Sequence, residues 1–146
     1  KPHPSYLRLE KSDEISVTNK IQKYFPGSIH IKKKKNAKNA IISTGSVFRK
    51  VSELMKKDKF KNFSHFTIPI WGQHCKKCTL NNIKNFNNII TVEDHLADGG
   101  FGSWINECGF NKPYLNYKIR SIYLNKNVVG KVGNRDFLEK KYYSKI

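Results

Sequence analysis

One run of this chain holds most of the residues that could do chemistry: Thr91-Val92-Glu93-Asp94-His95-Leu96-Ala97-Asp98-Gly99-Gly100-Phe101-Gly102-Ser103. Carboxylates and an imidazole lead into a glycine-rich turn. Glycines permit positive φ and close backbone approach, and a helix starting at Ser103 would turn its N-terminal N–H groups toward an anion. The run lacks the Lys-Ser or Lys-Thr pair of a phosphate loop and departs from the Gly-x-Gly-x-x-Gly dinucleotide pattern. The competing use of Gly99, Gly100 and Gly102 is structural, letting a helix pack tightly on a sheet.

The remaining candidates are thinner. His95 is a possible general acid or base, but no serine or cysteine nucleophile with a flanking base motif accompanies it, so a loop histidine bonded to Glu93, Asp94 or the turn is the plainer expectation. His74-Cys75-Lys76-Lys77-Cys78 has Cys-x-x-Cys spacing. It could supply zinc ligands, with Cys108 or His65 as distant partners, or a redox pair. It lacks the second Cys-x-x-Cys of a strong zinc signal, and loop thiols are the plainer expectation. Arg8 and Lys11 flank Leu9-Glu10 at the end of a strand-like segment, where they could meet a sugar phosphate or stand solvated.

The elements that would position these residues follow from periodicity. Ser5–Leu9 reads as a strand with no obvious partner, and residues 10–27 read as a linker ending in the Pro26-Gly27 turn. Ser28–Lys33 alternates as an edge strand. A repeating rhythm follows: strand 40–43, a helix capped by Ser46, strand 65–70, a helix capped by Thr79, strand 88–93, a helix entered at Ser103, strand 118–124, and a helix capped by Asn134 that buries Phe137, Leu138 and Tyr142. Alternating strands and helices predict a mainly parallel sheet covered on both faces.

Composition limits the rest. With 38% hydrophobic and 27% charged residues among 146, the chain reads as one soluble globular domain. No apolar run approaches the roughly 20 residues of a membrane span, and Lys1-Pro2-His3-Pro4 does not open a signal peptide. Three cysteines are too few for a disulfide scaffold and suggest a reducing cytoplasm. The net charge of +17 invites a nucleic-acid reading. Yet 24 of the 28 basic residues are lysine, scattered along the chain apart from Lys32–Lys35. Arginine, the better fork for phosphates and bases, is scarce. Specific nucleic-acid binding is therefore not expected.

Taken in order, four segments resemble the C-terminal domain of the transketolase family. Pro4-Ser5-Tyr6-Leu7-Arg8-Leu9 is similar to the closing strand of the family's pyrimidine-binding domain. Ala40-Ile41-Ile42-Ser43-Thr44-Gly45-Ser46 resembles the first core strand and helix start of the C-terminal domain. Thr91–Ser103 resembles its acidic-His, Gly-Gly-x-Gly-Ser signature, and Gly130-Lys131-Val132-Gly133-Asn134-Arg135-Asp136-Phe137-Leu138 resembles its closing turn and helix.

The resemblance implies a three-layer α/β/α domain over 28–146, with a mostly parallel sheet and one antiparallel edge strand, preceded by the tail of a pyrimidine-binding domain and linker over 1–27. It implies a parent enzyme that moves a two-carbon ketol unit between sugar phosphates using thiamine diphosphate and Mg²⁺, both bound by domains outside this chain. The chain alone would then be inactive, with the other domains or subunits as partners and the parent a homodimer. Lys11 aligns where the family often holds the substrate phosphate with an arginine. Thr67-Ile68-Pro69-Ile70-Trp71-Gly72 departs from the family's usual Thr-Ile-Lys-Pro-Leu-Asp, leaving the sugar open. Deoxyxylulose-phosphate synthases and 2-oxo-acid dehydrogenase β chains carry related signatures. A stand-alone module, holding a small anion on the glycine turn or nucleic acid on its lysines, is the reading from another class.

Overall fold

The computed structural model describes residues 27, 29–32 (backbone), 34–109 and 116–144. Arg8, Lys11, the expected strand at 5–9 and the linker at 10–26 lie outside them. Short apolar segments rich in β-branched residues form the sheet: β1 (Ile29–Lys32), β2 (Asn39–Ser43), β3 (Phe63–Thr67), β4 (Asn88–Leu96) and β5 (Lys118–Leu124). Their order is β1-β3-β2-β4-β5. The pairs β3–β2, β2–β4 and β4–β5 are parallel, and β1 runs antiparallel to β3 at the edge. Four helices cross between or follow the strands: α1 (Phe48–Leu54), α2 (Lys76–Ile83), α3 (Phe101–Gly109) and α4 (Arg135–Tyr142).

Strand alternation sorts the core into two layers. Ala40, Ile42, Phe66 and Ile89 pack with Ile83 of α2 and with Phe101, Trp104, Ile105 and Cys108 of α3. On the opposite face Ile41, Val92 and Ile122 pack with Val51 of α1 and with Tyr143, which follows α4. The result is a three-layer α/β/α fold with a mostly parallel sheet and one antiparallel edge, as expected. Among the described residues no helix is long and apolar enough to cross a membrane.

Several local expectations are corrected. β3 spans 63–67 instead of 65–70, because the chain turns away at Ile68-Pro69, where proline cannot donate to a ladder. β4 continues past Glu93 to Leu96, so His95 sits on a strand and not in a loop. Ser46 does not cap α1. It lies inside a short 3-10 turn (Gly45–Val47) that leads into the helix. A second 3-10 turn (Gln73–Cys75) leads into α2, which starts three residues before Thr79; that threonine is wholly buried and donates to the Gly27 carbonyl at 3.3 Å. Cys75 and Cys78 are thus on a helical segment and not loop thiols. Asn134 does cap α4, its side chain accepting from Phe137 N at 2.9 Å. Phe137, however, is 50% exposed, since α4 touches the body through its other side.

His65 is buried in β3, within 3.3 Å of Ser43 Oγ, and its ring stacks on Phe48 at 5.1 Å. Burial disfavours its charged form and lowers its pKa from 6.5 to about 4. The unfolded chain therefore binds a proton near pH 6.5 that the folded chain refuses. The His65 contribution is complete above that pH and falls away as the pH drops toward 4, by about 3 kcal/mol at ~1.4 kcal/mol per unit. Urea titrations at pH 7 and pH 4.5 should show this loss in the native chain and not in His65→Gln. An equal loss in both would place the pH sensitivity elsewhere.

Candidate functional site

In open α/β sheets ligands bind beyond the carboxyl ends of the strands, where the winding reverses. Here that point lies between β2 and β4: the chain leaves β2 toward β3 on one side, and leaves β4 toward β5 on the other. Glu93, Asp94 and His95 stand at this end of β4, and Ser46 stands just beyond β2.

Alternation sends Glu93 to the same face as Ile89 and Thr91, toward α3. Its carboxylate is 1% exposed and caps that helix, Oε2 accepting from Phe101 N at 2.6 Å and Oε1 from Gly102 N at 2.8 Å. An anion at a helix N-terminus satisfies orphan N–H groups and opposes the helix dipole. Burial raises the Glu93 pKa; the Gly102 and Phe101 N–H groups oppose that rise without cancelling it. The glycine turn is therefore occupied, and what occupies it is the chain's own carboxyl side chain.

The glycines make this contact possible, each differently. A Cβ on Gly100 would collide with Glu93 Oε2 and the Leu96 carbonyl, and would come within 3.0 Å of Glu93 Cδ. A Cβ on Gly102 would strike Ser121 Oγ and lie 2.8 Å from Thr91 Oγ1, two groups already hydrogen-bonded to each other. Tight helix-on-sheet packing is thus the use of these two. Positive φ belongs to Gly99, at +66°, where a Cβ would meet nothing. Gly100 is not among the positive-φ glycines, and the constraint there is space. Ser103 does not open α3 either. The helix starts two residues earlier because its cap comes from β4, and Ser103 Oγ donates to the Ala97 carbonyl.

Asp94 points to the other face. Its Oδ2 accepts from Ser46 Oγ at 2.9 Å, across the gap between β2 and β4. Arg135 of α4 donates to both Ser46 O and Ser46 Oγ at 3.1 Å, and its Nε bonds Glu139 at 2.8 Å. Glu139 also accepts from Lys50 of α1 at 3.2 Å, and the Lys50 ammonium lies 3.3 Å from the centre of the Tyr143 ring. Tyr143 donates its hydroxyl to the Glu93 carbonyl at 3.0 Å, and burial pushes its pKa upward. The switch-point crevice is therefore bridged by side chains of this domain. His95 is exposed and makes a 3.2 Å contact with its neighbour's carbonyl.

Sequence reasoning named Glu93, Asp94, His95 and the glycines, but not Ser46, Lys50, Arg135, Glu139 or Tyr143 as members of one cluster. The i,i+4 spacing of Arg135 and Glu139 signals a helix pair. Nothing local signals Ser46 as their partner, 89 residues away.

At the glycine turn the described residues do not suit a diphosphate, because the N-terminus of α3 is filled by Glu93. Cys75 and Cys108 are buried, Cys78 is exposed, and all three thiols are free. Burial pushes the Cys108 thiol up to about 11. Among the described residues no three His, Cys, Asp or Glu side chains come together in a way that could hold a metal ion.

Layer order and strand directions define a three-layer α/β/α domain of transketolase C-terminal-like architecture. The fold is similar to that of a solved structure described as a split gene transketolase, inactive beta4 tetramer. The TM-score is 0.62 at 17% identity, over 82% of this chain and 38% of that one. In sequence the chain is 26% identical over 106 residues to one of the subunits of an apulose-4-phosphate transketolase from Actinobacillus succinogenes, a match covering 71% of this chain and 34% of that protein. The chain thus spans little more than a third of either relative. No protein-family model matches it.

Proposed function

We propose that this chain is the C-terminal assembly module of a transketolase-type enzyme, and that the enzyme transfers a two-carbon ketol unit between sugar phosphates. In this reading thiamine diphosphate and Mg²⁺ are held by other domains or subunits, and the cofactor supplies the electron sink. Residues 1–27 close a pyrimidine-binding domain and lead into the module, and Arg8 and Lys11 reach the substrate phosphate from there. The parent is a cytoplasmic homodimer, in keeping with three free thiols.

One observation carries the assembly role. The place where an α/β sheet ordinarily receives a ligand is bridged by Ser46, Asp94 and Arg135, and the adjacent helix terminus is filled by Glu93. A domain bridged in this way offers stability and surface to an assembly. A relative that is one of the subunits of a transketolase supports a division of labour between chains.

The test is reconstitution. Calorimetric titration of thiamine diphosphate with Mg²⁺ into the chain alone should show no binding, and the chain alone should show no ketol transfer. Mixing it with a chain that carries the diphosphate-binding domain and the body of the pyrimidine-binding domain should yield both. Micromolar cofactor binding or transfer by the chain alone would overturn the proposal.

A further inference from the structure

The edge of the sheet opposite Glu93 and Asp94 has a different character. Where β2, β3 and β4 begin, a groove of about 310 Å³ is lined by Lys34, Lys35, Lys38, Asn36, Asn39 and Asn62. No carboxylate among the described residues lines it. Among the described residues none of its three lysines has an ion pair, and Lys61, beside Asn62, is occupied by Asp58 at 3.0 Å. The carboxylates of β4 and the following turn stand at the far end of the strands.

The backbone of the groove is anchored, so the fold holds the stems of its lysines near one another. Lys34 N donates to Ser64 Oγ of β3 at 3.1 Å. Ala37 N closes a turn onto Lys34 O at 3.3 Å, with Asn36 at φ 61°. The Lys38 carbonyl accepts from Asn87 N at 2.7 Å, just before β4, and Asn39 Oδ1 accepts from Asn88 Nδ2 at 2.8 Å. The loop is thus tied to both strands that flank β2.

We infer that this groove binds a small, multiply charged phosphate ester. Ammonium groups act on phosphate as compact point charges, and asparagine amides both donate to and accept from hydroxyl groups. The volume lies at the small-molecule end of the range for ligand pockets. Among the described residues no aromatic ring or arginine lines the groove, so they offer neither a stacking platform for bases nor a fork for base edges. A small ester fits that chemistry better than a nucleic-acid strand. The inference is independent of the assembly role.

The experiment is nitrogen–proton NMR on the full chain at about 150 mM salt, where loose surface attraction is screened. The probes are fructose 1,6-bisphosphate, inorganic phosphate and a single-stranded oligothymidine. Fructose 1,6-bisphosphate should shift the amides of 34–39 and Asn62 at lower concentration than inorganic phosphate does. Replacing Lys34, Lys35 and Lys38 together by Gln should weaken it roughly tenfold or more, because three charge-assisted contacts go. A control with Gln at Lys56, Lys57 and Lys126 loses the same net charge and should bind as the parent does. Shifts spread over the whole surface, equal weakening in both triple variants, or tighter binding of the oligothymidine at these amides would each overturn the inference.

Discussion

Gly100→Val is expected to cost the fold about 3–5 kcal/mol, the range for separating a buried charge from its partners. The new Cβ would meet Glu93 Oε2 and the Leu96 carbonyl. One is half of a buried carboxylate and the other is backbone, so neither can move aside cheaply. At a few degrees per kcal/mol for a domain this size, the thermal midpoint should fall by roughly 10 °C. Gly99→Ala is the matched control. Its φ of +66° strains an L-residue, but the space is open, and a cost of about 1 kcal/mol is expected there. Denaturant unfolding of the two variants gives the comparison. A Gly100→Val protein as stable as its parent would refute the crowding account of the turn.

Glu93→Ala is expected to be of similar size for a complementary reason. It leaves Phe101 N and Gly102 N buried with no acceptor, at about 1–3 kcal/mol each. Glu93→Gln should fall between, since an amide offers one oxygen to two donors. The residues are in contact, so the losses should not add. Adding Gly100→Ala to Glu93→Ala should cost less than Gly100→Ala alone, because one of its two obstacles has gone. Urea midpoints for the four chains form the cycle. Simple additivity would mean that the carboxylate and the glycine act independently, contrary to the geometry.

These variants also show where local pattern stops informing. The alternation in Ile89, Thr91 and Glu93 was readable, and it fixes which face Glu93 takes. What it caps was not. Helix starts are recognised by Ser, Thr, Asp or Asn just before the first turn, and by that rule Ser103 opens α3. Here the capping group stands eight residues before Phe101, on another element. Asn134, a cap within the local rule, was placed correctly. The layers were legible because strand and helix periods differ and each element buries one side. The exposure of Phe137 was not, because which side of α4 faces inward is set by Arg135 and Glu139 reaching α1 and the turn before it, a long-range pairing that no window of sequence contains.

The tie from Arg135 to Ser46 has a temporal consequence. During ribosomal synthesis β2, β3 and β4 can emerge and pair long before Arg135 and Tyr143 leave the exit tunnel. Until they do, nothing from α4 can lie over the gap between β2 and β4, and Glu139 is not there to neutralise Lys50. The nascent domain thus passes through a stage with its sheet mostly assembled and its carboxyl-end cleft still unroofed. α4, made after the strands it braces, works as a latch.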